Sequence, residues 1–162
     1  MRVLMFGWEF PPHIAGGLGT ACYGMTRGLA ENGVEVLFVM PSASGDEDQS
    51  SVRIINASDV AVDTMSETVD EFLGKVRFVH VGTNMVPYVS PEDFSSVVEE
   101  ERARQIKDFR ITYGQKYQFS GKYGTNLMEE VARYGMVGGT IALQHCDEFD
   151  VIHAHDWLTY LA

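Results

Sequence analysis

The opening thirty-three residues constrain the fold more than any other stretch. They hold a short apolar run, a proline-bearing loop, a glycine-rich turn and an amphipathic segment, in that order. Arg2-Val3-Leu4-Met5-Phe6 reads as a strand, and Thr20 to Asn32 carries Cys22, Met25, Leu29 and Ala30 at helical spacing. The loop between them, Gly7-Trp8-Glu9-Phe10-Pro11-Pro12-His13-Ile14-Ala15, holds two prolines, which exclude both a helix and a central strand. Gly16-Gly17-Leu18-Gly19 then opens the helix, offering unpaired backbone N–H groups and the positive end of a helix dipole, a device that binds phosphate. The helix is expected to stop at Asn32-Gly33, and Val34 to Met40 follows as a near-continuous apolar run. Such runs belong to parallel strands covered on both faces, so the chain is expected to be α/β: a Rossmann-like, doubly wound, mostly parallel sheet.

The glycines do not make a dinucleotide fingerprint. In the one register with two matches, Gly17-Leu18-Gly19, Cys22 stands where the third glycine belongs. Nine residues, 7–15, separate Phe6 from Gly16, and the second strand ends in Met40-Pro41 with no acidic residue for a ribose. A nicotinamide-dependent oxidoreductase is therefore disfavoured. The plainer alternative is that the glycines only let the helix pack close to the sheet. Three glycines in four positions exceed that need, and a ligand is the preferred reading.

At 162 residues, 45% of them hydrophobic, the chain has material for one core and is read as one domain over 1–162. A formal net charge of −11 opposes a nucleic-acid partner or an anionic membrane surface, and no apolar run approaches the length of a membrane span. The start at Arg2 does not read as a signal peptide, and the expected location is the cytoplasm. Cys22 and Cys146, far apart and without a C-x-x-C partner, read as reduced and mostly buried; no metal site is expected.

Further along, Ser42 to Ser51 with Asp46-Glu47-Asp48 reads as a solvated acidic loop, and Val52-Arg53-Ile54-Ile55 as the third strand. A short helix over 63–74, a strand over 76–81 and an ordered loop over 82–91 are expected next, with His80 structural. Ser90-Pro91-Glu92-Asp93 resembles a helix start, and 97–109 reads as a helix with a solvated face. Phe109, Tyr113, Tyr117, Phe119 and Tyr123 cluster as packing residues, stacking on a sugar being the alternative. Asn126 to His145 is a long helix whose Gly138-Gly139 pair marks a close contact.

Val151-Ile152-His153-Ala154 is a strand, and Asp156-Trp157-Leu158 begins the next helix. Ligands of open α/β sheets gather beyond the carboxyl ends of the strands, so Asp156 falls beside the Gly16 loop if the two strands lie close together. A helix N-cap is the rival role for Asp156, and one carboxylate can fill both. His153, His155 and Asp156 do not suffice for a metal, because no second cluster supplies ligands.

Trp8-Glu9-Phe10-Pro11-Pro12-His13 followed by Gly16-Gly17-Leu18-Gly19, together with Asp150-Val151-Ile152-His153-Ala154-His155-Asp156-Trp157, resembles the N-terminal domain of retaining GT-B glycosyltransferases, close to the glycogen and starch synthases. The resemblance implies transfer of a hexose, glucose above all, from a nucleotide diphosphate sugar to a glucan or other glycoside, without a metal or other cofactor. It gives Gly16, Gly17, Leu18 and Gly19 to the donor's phosphates and makes Asp156 the catalytic-site carboxylate. His13, His155 and Trp157, which belong to the same motifs, become candidate substrate contacts. Ile14 stands where those synthases usually show a lysine, which leaves the donor base open. The resemblance further implies that the partner of this domain is a C-terminal domain of the same chain carrying the basic diphosphate grip, and that residues 1–162 alone are inactive. A glucan- or partner-binding module without catalysis is the alternative.

Overall fold

The computed structural model describes residues 1–62 and 116–162. The expectations for 63–74, 76–81, 82–91 and 97–109, and for His80, Phe109 and Tyr113, lie outside the described residues. Four strands, β1 (Arg2–Phe6), β2 (Glu35–Met40), β3 (Arg53–Asn56) and β4 (Val151–Ala154), form one sheet in the order β3-β2-β1-β4. All three pairings are parallel, with Leu4 opposite Leu37 on one side and Ile152 on the other. Helix α1 (Gly17–Glu31) joins β1 to β2, and helix α2 (Leu127–Gln144) precedes β4.

Alternation along β1 and β2 sorts their side chains onto two faces. Val3, Met5, Val36, Phe38 and Met40 pack with Cys22 of α1 on one face. Leu4, Phe6, Leu37 and Val39 pack with Val131, Tyr134, Val137 and Ile141 of α2 on the other. Both faces of the central strands are thus covered, which is why β1 and β2 read as unbroken apolar runs. Tyr134 holds the second layer to the strand ends. Its buried hydroxyl lies 2.8 Å from the Val39 carbonyl and 3.0 Å from that of Gly7, and the rings of Phe6, Trp8 and Phe119 meet it edge to face. Burial pushes its phenol well above the ordinary tyrosine range.

Helix α1 ends as its sequence predicts, with Asn32 at the cap and Gly33 at φ 72°, a backbone that favours glycine. It begins earlier than the apolar spacing predicts, because Gly17, Leu18 and Gly19 are themselves its first turn. Three other expectations are corrected. Cys146 is exposed and only Cys22 is buried, since Cys146 lies past the end of α2 where no layer covers it. The acidic loop is not simply solvated: Glu47 is buried and its carboxylate accepts the Ser44 and Gly45 amides at 2.7 and 2.9 Å. Of the paired glycines in α2, Gly138 alone marks a close contact, a Cβ there meeting Ala162 and Phe6, whereas Gly139 faces open space. After Asp156 a helical turn begins as expected, of the 3-10 type over Trp157–Thr159 with Asp156 as its N-cap.

Candidate functional site

The strand order places β4 directly beside β1. The chain leaving β1 enters α1 on one face, and the chain leaving β4 packs Leu158, Leu161 and Ala162 on the other, so the two diverge from adjacent carboxyl ends at a topological switch point. Open α/β sheets bind ligands in that crevice. The Gly16 loop follows β1 and Asp156 follows β4, which meets the condition set by the sequence for their proximity.

Glu9 organises the glycine loop. Its side chain is 4% exposed, and its two oxygens accept the amides of Ala15 at 2.8 Å and Gly19 at 3.1 Å. The amides of Gly16, Gly17 and Leu18 have no acceptor among the described residues. The same loop lines a cleft of about 310 Å³, walled by Glu9, Ala15, Gly16, Gly17, Leu18 and Tyr123. A Cβ added at Gly16 or Gly17 would meet nothing within 4 Å, so close helix packing does not explain glycine at either position. Gly19 differs, because a Cβ there would collide with Ile14 and lie 3.1 Å from Cγ of Glu9.

Asp156 has φ 71° and ψ 160°, a conformation almost reserved for glycine. Such strain costs about 1–3 kcal/mol and concentrates at functional positions. One carboxylate oxygen accepts the Trp157 amide at 2.6 Å, so the N-cap reading holds, and the other oxygen has no partner among the described residues. Below it, the Thr159 hydroxyl lies 2.9 Å from the Asp156 carbonyl and 3.0 Å from that of His155, fixing the turn. Asp156 and Glu9 both act on Cys22: burial first, then these two carboxylates, push its thiol up to about 12.

His153 and His155 stack at 5.5 Å between centroids, with Nε2 and Nδ1 3.3 Å apart; burial and the second ring hold His153 below the usual histidine range. Trp157 is exposed beside Asp156. His13 is turned away from the cleft lining, its Nε2 2.7 Å from Asp46 in the acidic loop. Among the aromatics, Phe119 is core and Tyr117 packs against it, while Tyr123 reaches the cleft. Glu9 is the residue of this loop that sequence reasoning passed over, whereas Tyr123, expected as a packing residue with sugar stacking as the alternative, packs against the core and also lines the cleft. The signal for Glu9 was its place between Trp8 and Phe10, two large apolar residues. A second hollow of about 350 Å³, between the end of α2 and β4, is lined by apolar Leu143, Phe149, Val151 and Ile152 together with His145 and Cys146, and lies away from the loop. Among the described residues no cluster of metal-ligating side chains is present, and no helix is long and apolar enough to cross a membrane.

Residues 2–162 match the family model described as the starch synthase catalytic domain. An uncharacterized glycosyltransferase of Methanocaldococcus jannaschii is 50% identical over 36 residues, which cover 22% of this chain and 9% of that protein. A glycogen synthase of Mycobacterium tuberculosis is 36% identical over 67 residues, 36% of this chain and 16% of that enzyme. The matched stretches thus span under a fifth of the length of these relatives. No solved structure matches the chain at a significant level. With the family model aligned across nearly its whole length, the chain belongs to the starch synthase catalytic-domain family of glycosyltransferases.

Proposed function

We propose that this chain supplies the acceptor-side domain of an enzyme that moves a hexose, glucose by preference, from a nucleotide diphosphate sugar to a hydroxyl of a glucan or related glycoside, with retention and without a metal in the chemistry. The observation that carries the reading is the open space in front of Gly16 and Gly17. Neither residue needs to be glycine for packing or for a positive φ, yet each keeps the backbone bare where the loop lines a cleft and three amides lack an acceptor among the described residues. Bare amides at a helix N-terminus suit the donor's diphosphate. Across the switch point, the free oxygen of Asp156 suits a sugar hydroxyl, because an ionised carboxylate accepts hydrogen bonds strongly. His155 and Trp157 flank that position, Tyr123 offers the cleft an aromatic wall, and His13 is left a loop-bracing role.

The remaining donor contacts belong, in this reading, to a further domain, so residues 1–162 alone are expected to be inactive. The test is release of nucleoside diphosphate by the complete protein from a panel of nucleoside diphosphate hexoses in the presence of an oligoglucan. The anomeric configuration of the product is read by NMR. Transfer with retained configuration supports the proposal. Saccharide binding without any transfer replaces it with a binding module, and inverted product overturns the stereochemical part.

A further inference from the structure

Glu9 is a buried carboxylate with no cation paired to it among the described residues. An ionised side chain removed from water is costly unless something compensates it. Here the compensation comes from the two amides and from the positive end of α1, at which the carboxylate sits. Placement is also enforced sterically, because Gly19 leaves room for Cγ of Glu9 and for Ile14, and any larger residue displaces one of them.

The carboxylate is selective in what it takes. Of the amides from Ala15 to Gly19 it holds the first and the last, and the three between them, on residues that line the cleft, have no acceptor among the described residues. An unclamped glycine loop samples many conformations, since glycine loses the most backbone freedom on ordering. Pinning both ends removes that freedom before a ligand arrives, so less binding energy is spent on ordering. We propose that Glu9 is a positioning residue: by holding the Ala15 and Gly19 amides it fixes those of Gly16, Gly17 and Leu18 in the geometry that receives the donor's phosphates. The inference rests on the donor-binding reading of this loop.

Glutamine at position 9 keeps the shape of glutamate but can accept only through one atom, and its NH2 group faces the second amide donor to donor. Glu9→Gln and Gly19→Ala in the complete protein therefore attack the same clamp from its two sides, and the second variant serves where the first does not fold. Exchange of the Ala15 and Gly19 amides should quicken by about ten-fold in either variant, while amides in the middle of α1 keep their protection. The donor KM should rise about ten-fold with the acceptor KM within about two-fold, and the double variant should do no worse than the worse single one. Faster exchange with an unchanged donor KM makes Glu9 a mere loop staple and overturns the proposal. So does an equal rise in both KM values, or additivity of the two substitutions. Wild-type protein that turns over no sugar nucleotide sinks the donor reading instead; amide exchange then still decides whether Glu9 holds the loop.

Discussion

After β1, Glu9 turns inward and takes the amides of Ala15 and Gly19; after β2, Glu47 turns inward and takes those of Ser44 and Gly45. Glu130 does the same for Ser120 and Gly121. In each case a loop without regular hydrogen bonding satisfies its backbone through a buried carboxylate. The first two loops differ in what the carboxylate leaves over. Glu9 acts at the start of a fifteen-residue helix and leaves three amides without an acceptor among the described residues, in a loop that lines a cleft. Glu47 closes a loop that leads into a strand, and its neighbours Asp46 and Asp48 face back to His13 and Tyr23. A clamped loop is thus a structural device in both places, and of the two it is the first that the proposed function assigns to a ligand.

The sharpest way to strengthen that contrast lies across the switch point. Asp156→Asn keeps the cap bond to Trp157, because asparagine caps helices about as well as aspartate, but it removes the charge. Transfer by the complete protein should fall about a hundred-fold at unchanged Tm, since contacts to a charged group are worth about 1.5–3 kcal/mol each. Near-normal transfer would leave Asp156 a cap alone.

Gly17→Val is next in size. Its Cβ meets no protein atom, so Tm should hold while the donor KM rises and kcat drops, together by about ten-fold. A fall in Tm with unchanged kinetics would return the glycine to a structural role.

Glu47→Ala reverses the pattern and breaks the comparison if it fails. It should lower stability by about 1 kcal/mol through two unsatisfied amides and leave both KM values within about two-fold. A changed donor KM would mean that the second loop also shapes the site.

Alkaline titration gives a smaller effect. Cys22 has its thiol raised to about 12 in the fold from an ordinary value of 9.0, so the folded state holds the proton more tightly than the unfolded chain does. Its contribution is full below pH 9.0 and is lost as pH rises towards about 12. Urea midpoints should decline through that window, and Cys22→Ala should flatten the decline. Cys146, by contrast, should react with thiol reagents at neutral pH while Cys22 does not. Least of all, Tyr23→Phe removes an exposed bond to Asp48 and should leave Tm and transfer where they are.

The strands and helices of the described residues were legible because the signals for them are periodic and local. Arg2–Phe6 and Glu35–Met40 read as buried strands since both faces are apolar, and Leu127–Gln144 as a helix from its spacing. The neighbourhood of the site was legible only conditionally, since pairing of β1 with β4 joins residues about 150 positions apart and no local pattern encodes it. Glu9 was not legible as a clamp at all. A carboxylate in a proline loop has no periodicity to betray it, and its partners are backbone amides, which the sequence does not name. The acidic loop was misread for the same reason: Asp46, Glu47 and Asp48 look alike in sequence, but only Glu47 is buried. Tyr123 was grouped with packing aromatics because clustering says nothing about which ring faces a cleft.

With the role proposed for its carboxylate, the backbone of Asp156 sets stability and activity against each other. Glycine is the residue that this φ and ψ suit, so replacing Asp156 by glycine releases about 1–3 kcal/mol of strain. Losing an aspartate cap to glycine costs only a few tenths of that. A library selected for heat resistance alone should drift toward glycine at position 156 and lose transfer as it goes, whereas one selected for turnover should keep the strained aspartate.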